Sequence, residues 1–516
     1  MKTIIENKKK DKHKKSFNNP LCDKSMNFED CELAILRNAV DINEHAQEEL
    51  KKQKILNGDE LTAIFNILEN FIIRKKLVLY GGFAINAVLP EYAKFYNLKH
   101  DIPDYDCYSS NALEDAIELS EYFFEKGYKE VEAKAGVHYG TYKVYVNFIA
   151  IADITFLDKS IFKNIQKDAI IINHIHYCPV NFLRRNIYKE LCLPLGDVSR
   201  WEKVFKRLNT INIHYPMTIP YNCKNVEFQR KLDSIESTNN EIIYNIVREA
   251  FIFMGAIFFG GYACSLYSQY MPQESRKIIE KIPDFDVLYE DIEKGSLIVK
   301  EKLNSAGFKN VKLIKHLNIG EIIPSHYEIR VGQDIVAFIY EPTACHSYNT
   351  ISINNQEINI ATIDTILYFY FSFYYSNNPY YYKDRILCMA KILFEVEQEN
   401  RLNQKGLLKR FSTSCIGNQD DLIIIRERKT DKFKELIHKR ETKEYASWFL
   451  KYNPALDKRP RFMKKYNFSL KKREQINSRW KDASQKDEVT KSIRTTRKKS
   501  HYNREKYKQK NVFGWK

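Results

Sequence analysis

The chain has 516 residues, 44% hydrophobic and 13% aromatic, enough for two or three buried cores and hence two or three domains. Its ten cysteines form no C-x-x-C pair, no apolar run is long enough to cross a bilayer, and the opening MKTIIENKKKDKHKK lacks the apolar centre of a secretory signal. These features argue against a zinc site, a disulfide framework and membrane attachment, and for a reduced, intracellular compartment. The net charge of +16 resides in the ends: residues 1–15 carry +5 and residues 461–516 carry +14, which leaves the body near −3. Basic ends of this kind suit a polyanion, and Tyr502, Tyr507, Phe513 and Trp515 interleave with the C-terminal charges as base-stacking groups would.

Residues 1–48 read as a basic arm and a first helix. From 49, Ile64, Phe65, Leu68 and Ile72 recur at helical spacing and lead to a short apolar strand over 77–80. The strand runs into YGGFAINAVLP, a glycine turn at Gly81-Gly82 followed by a helix. DIPDYDCYS then supplies Asp104 and Asp106 on a second strand. HYGTYKVYVNFIAIADITF, from His138, reads as a long apolar strand closed by Asp153. His174, His176 and Cys178 fall on alternating strand positions, a spacing that suits a strand better than a metal site. The helical segments VNFLRRNIYKELCLP and SRWEKVFKRLNTI follow. Trp201 suits a core position.

The pattern then recurs. Ile242, Ile243, Ile246, Val247 and Ala250 repeat the helix, 256–259 the strand, Gly260-Gly261 the turn, and Asp284 and Asp286 the acidic pair. The glycine pairs stand 179 residues apart and the acidic pairs 180, and HYEIRVGQDIVAFIYEP answers the first long strand. An internal duplication is expected, giving two α/β (α+β) domains with helical additions over 49–230 and 231–450, then a basic tail from 451 to 516. Tyr340 is the best match to Asp153 in the second copy, which would then lack a third acid and be inactive. Nucleotide binding there stays open.

The residue types explain one another. Glycines straight after a strand let backbone amides approach a phosphate. Carboxylates at i and i+2 on a strand share a face, which costs repulsion unless a cation lies between them. Hard divalent ions take carboxylate and phosphate oxygens together, so Asp104, Asp106 and Asp153 are candidates to hold Mg2+ or Mn2+ beside a nucleotide.

This set resembles the nucleotidyltransferase superfamily typified by DNA polymerase β: a glycine turn, a D-x-D strand and a third acid on a later strand. Two departures stand out. No serine follows Gly81, and 21 residues separate Gly82 from Asp104, a longer gap than usual. The doubled arrangement and SRWEKVFKR resemble, more narrowly, poly(A) polymerase catalytic subunits of poxviruses and giant viruses. The resemblance implies template-independent transfer of AMP from ATP to RNA 3′ ends, with Asp104, Asp106 and Asp153 as catalytic metal ligands and Gly81 and Gly82 at the triphosphate. Arg200 and Lys203 are further candidates for triphosphate contacts. It also implies a homodimer, in the host cytoplasm or virion of a large DNA virus. Another terminal nucleotidyltransferase and a non-catalytic RNA-binding scaffold are the alternatives.

Overall fold

The computed structural model describes residues 19–22, 26–53, 58–96, 104–219, 223, 226, 237–271, 273, 276 and 284–463. The basic stretch 1–15 and the C-terminal stretch beyond Met463 lie outside these residues. The chain divides into two compact units, Met1–Asn70 with Tyr96–Pro103, and Phe71–Phe95 with Asp104–Lys516. The first unit holds the helix Phe28–Gln53, whose first turn carries Glu29 and Asp30, suited to the positive end of the helix dipole. Asp30 N donates to Asn27 Oδ1 (2.8 Å) at its start.

The second unit is a mixed α/β body. Its described residues form two eight-stranded sheets. The first sheet contains β1 (Val78–Tyr80), β2 (Tyr105–Ser109), β3 (Val131–Ala135), β4 (Thr141–Val146), β5 (Ile149–Phe156), β6 (Ile170–Ile172) and β7 (Ile175–Tyr177). The second contains β8 (Ile257–Phe258), β9 (Phe285–Leu288), β10 (Val311–His316), β11 (His326–Val331), β12 (Asp334–Tyr340), β13 (His346–Ile353), β14 (Gln356–Ala361) and β15 (Cys415–Ile416). The chain then returns to the first sheet with β16 (Lys451–Tyr452).

The strand orders are β16-β3-β4-β5-β2-β1-β7-β6 and β10-β11-β12-β9-β8-β14-β13-β15. Seven strands thus recur in the same order. Their relative directions also agree: β1 and β8 lie antiparallel to β2 and β9, which lie parallel to β5 and β12. The helix-to-strand turn repeats as well, through a left-handed residue, Lys76 (φ 52°) before β1 and Gly255 (φ 67°) before β8. Continuous apolar runs bury both faces of the central strands: adjacent Val78 and Leu79 in β1, and Ala337, Phe338 and Ile339 in β12, are fully enclosed.

The helices Val180–Leu191 and Ile363–Tyr374 join the two sheets' surroundings into one core. Arg185, itself buried, donates from Nε to Ser372 Oγ (3.0 Å) and from Nη2 to Tyr368 Oη (3.0 Å). Tyr188 Oη reaches Glu397 Oε2 (3.1 Å).

Several sequence readings need correction. The stretch from His138 is a hairpin, turning at Asn147 and Phe148 (φ 50° and 69°), so Asp153 stands in the middle of β5 and closes no strand. His174 occupies the β6–β7 turn (φ 65°), while His176 is on β7. The segment from 451 begins as strand, because Lys451 and Tyr452 pair with Lys134 and Ala133. Cys22–Cys31, Cys223–Cys388 and Cys345–Cys415 are paired as disulfides, at separations of 9, 165 and 70 residues that no short cysteine motif announces. Cys107, Cys178, Cys192 and Cys264 are buried thiols.

Candidate active site

A single cross-strand row builds the site. Sheet register aligns Tyr80 with Asp106, Asp106 with Asp153, and Asp153 with Lys143, across β1, β2, β5 and β4. Neighbours in register put their side chains on one face, so two carboxylates and an ammonium stand side by side. Asp104, exposed, lies just before β2 and adds a third charge. Gly81 (φ +73°) starts the helix Gly81–Val88, and a Cβ there would lie 2.3 Å from Asp106 Oδ2. Glycine is required twice at this point, for the left-handed backbone and for the close approach of the acid. Gly82 is buried behind it.

Burial pushes the Asp106 carboxyl up to about 7, assisted by the charges of Asp153 and Asp104 and opposed by Lys143 and Arg200. Lys143 Nζ sits 2.5 Å from Asp153 Oδ2. Beside this row, Tyr80 Oη bonds Thr155 Oγ1 (2.9 Å), which bonds Thr141 Oγ1 (3.0 Å), while the Tyr80 ring stacks on Tyr108 at 3.8 Å. Burial raises the Tyr80 hydroxyl well above its ordinary range, so the phenol stays neutral. This floor braces the strands that carry Asp106 and Asp153.

The helix Trp201–His214 supplies the basic side. Arg200 Nε pairs with Glu190 Oε2 (3.1 Å). Burial draws the Lys203 ammonium down, with Arg207 and Arg200 adding to the effect and Asp104 opposing it. Both sequence candidates therefore reach the field of the acidic group. Trp201 is half-buried: its Nε1 donates to the Glu190 carbonyl (2.9 Å) and its ring lies 5.6 Å from that of Phe411.

No group of three or more His, Cys, Asp or Glu side chains stands in metal-ligating geometry among the described residues. The donor set nevertheless fits a hard divalent ion. Asp106 and Asp153 are register partners with Asp104 near, and burial first, with the neighbouring carboxylates second, raises the Asp106 carboxyl. Lys143, which sequence reading overlooked, provides the positive charge on Asp153. Its only sequence signal is its place in β4, and that acquires meaning once the β4–β5 register is known.

The second sheet repeats the row with different contents. Phe259 N donates to the Asp286 carbonyl (3.0 Å), Asp286 aligns with Phe338, and Phe338 with Glu328. Phe338, not Tyr340, stands where Asp153 does; the β-sheet register fixes this, and counting along the chain misplaced it by two. Asp284 and Asp286 are buried, and Arg385 Nη1 from the helix Lys383–Glu399 lies 2.7 Å from Asp284 Oδ2.

A glycine turn above a D-x-D strand, with a third acid on the parallel neighbour, is the arrangement by which the chain resembles nucleotidyltransferases. Residues 66–197 match the family model described as poly(A) polymerase catalytic subunit, a span that holds the whole acidic row and stops short of Arg200. Over 185 residues the chain is 29% identical to the "Putative poly(A) polymerase catalytic subunit" of African swine fever virus (isolate Pig/Kenya/KEN-50/1950), covering 35% of this chain and 38% of that protein. The chain thus matches under two fifths of the length of those relatives. The protein of the same name from Acanthamoeba polyphaga mimivirus is 23% identical over 425 residues, 72% of this chain and 70% of its own. The crystal structure of the Megavirus polyadenylate synthase shares the fold, with a TM-score of 0.69 at 18% identity over 88% of this chain and 93% of that one. The chain therefore resembles the poly(A) polymerase catalytic subunits of large DNA viruses, in both sequence and fold.

Proposed function

We propose that the chain transfers AMP from ATP to the 3′ ends of RNA, without a template. The Asp106–Asp153 register pair beneath Gly81, with Asp104 alongside, carries this reading. A divalent ion (Mg2+ or Mn2+) held by Asp104, Asp106 and Asp153 would lower the pKa of an attacking hydroxyl and neutralise charge on the phosphates. The chain's own residues do the positioning. Gly81 and Gly82 let backbone amides of the following helix come close to the triphosphate. Lys203 and Arg200 offset its charge, and Thr155 and Tyr80 hold the acidic strands in register.

In this reading the two sheet units, 49–230 and 231–450, arose by duplication and only the first is catalytic. The basic ends retain RNA, and two copies of the chain associate. Primer extension with each NTP offered separately tests the central claim. ATP alone should lengthen RNA efficiently, and Asp104→Ala with Asp106→Ala should abolish it. Equal use of all four NTPs would make the protein a different terminal transferase. Undiminished extension by the double variant would remove the site assignment.

A further inference from the structure

Lys143 is the cation directly beside Asp153 in the row, ahead of Lys134 and Lys451 on the next two strands, and it is the one that pairs with the third acid. Its Nζ lies 2.5 Å from Asp153 Oδ2, and the two side chains are 37% and 25% exposed. The ammonium therefore has solvent on one side and can leave without opening the core. In the second sheet Phe338 takes the place of Asp153 and Glu328 the place of Lys143, so acid and base have been lost together. Glu328 there turns to other partners, Arg330 Nε and His316 Nε2 (2.8 Å).

We propose that Lys143 is a resident counter-ion of Asp153, a positioning residue that keeps the third acid aimed along the row until a divalent ion displaces it. The inference rests on the reading of Asp104, Asp106 and Asp153 given above. The ammonium on Oδ2 and a divalent ion repel each other and compete for the same carboxylate, so the site fills by exchange of one cation for the other. Exchange is inexpensive because a partly exposed ion pair holds weakly. The ammonium offers no Lewis acidity, so Asp153 is prepared and chemically idle before the exchange.

Direct Mn2+ binding to the full chain, followed by the electron paramagnetic resonance signal of free Mn2+, tests this. Lys143→Met should bind Mn2+ about fivefold more tightly than wild type, the scale of one partly exposed ion pair. Lys143→Arg, which keeps the pair, should remain near wild type. The Mn2+ concentration for half-maximal extension should fall in parallel for Lys143→Met, a shift that a purely structural strand contact would not produce. Circular dichroism and melting temperature guard against misfolding, and the Arg variant keeps the test alive if Met disrupts the strand. If wild type shows no Mn2+ binding that the Asp104→Ala, Asp106→Ala protein lacks, the site reading falls and this proposal with it. If that binding is present and Lys143→Met leaves it unchanged or weaker, this proposal alone is overturned.

Discussion

The two sheets carry one frame and two electrostatic solutions. In the first, the row reads Tyr80, Asp106, Asp153, Lys143, and the charge is open to exchange with solvent ions. In the second it reads Phe259, Asp286, Phe338, Glu328. The acids beside it are enclosed, with the guanidinium of Arg385 as a built-in counter-charge that cannot leave. A buried charge must be paired, whereas a working metal site must leave its acids free to be paired by something that arrives. With an aromatic in place of one acid and an arginine from the helix behind, the second frame satisfies its charges from within the protein.

The largest expected effect breaks the comparison outright. Asp106→Asn should lower primer extension by about a thousandfold or more, as removal of a metal ligand does in phosphoryl transfer. Asp286→Asn, its counterpart, should leave extension within about threefold of wild type once folded protein is normalised. A reversed result would assign catalysis to the second sheet.

Next comes the enclosed arginine. Arg385→Met leaves Asp284 without the guanidinium at 2.7 Å and should cost about 3–5 kcal/mol in chemical denaturation, with part recovered by adding Asp284→Asn. Lys143→Met, on the open side, should change stability by no more than about 1 kcal/mol.

A third expectation concerns pH. The Asp106 carboxyl is raised from 3.8 to about 7 in the folded chain, so folding favours its protonated form. That contribution is complete below the unfolded pKa and is lost as pH rises through about 7. Without divalent ions, Asp106→Asn should therefore be more stable than wild type by about 2–4 kcal/mol at alkaline pH, and the gap should close on acidification. Thermal melts across pH measure it. A gap that widened towards acid would mean that the carboxylate is stabilised by its neighbours. The smallest effect is expected at Lys203, where Ala should raise the KM for ATP about threefold to tenfold with kcat little changed, since one partly exposed cation contributes modestly.

The glycine turns and the strands that carry Asp106, Asp153 and Asp286 could be read from the chain, because they depend on residues close together in sequence, although Asp104 and Asp284 stand just before their strands and Asp153 stands within its own. The sheet alignments could not. Lys143 gains its role only when β4 folds back on β5 through the Asn147–Phe148 turn, and the pairing slips by one residue between Val144 and Tyr145. A similar shift between Ile329 and Arg330 lies beside the strand that carries Phe338. Arg385 is about a hundred residues from the acid it neutralises, and nothing local to either residue marks the pair.

The return of the chain to the first sheet has a consequence for assembly. Ala135 N donates to the Leu450 carbonyl (2.9 Å), Tyr452 Oη to Glu121 Oε1 (2.9 Å), and Lys429 Nζ to the Gly136 carbonyl (2.6 Å). The outer edge of the first sheet is thus sealed by residues synthesised after the whole of the second sheet. Such long-range closure slows folding and exposes an unpaired edge on the ribosome. A nascent chain would hold its acidic row before its border is finished, so completion of the first sheet waits on synthesis of the second.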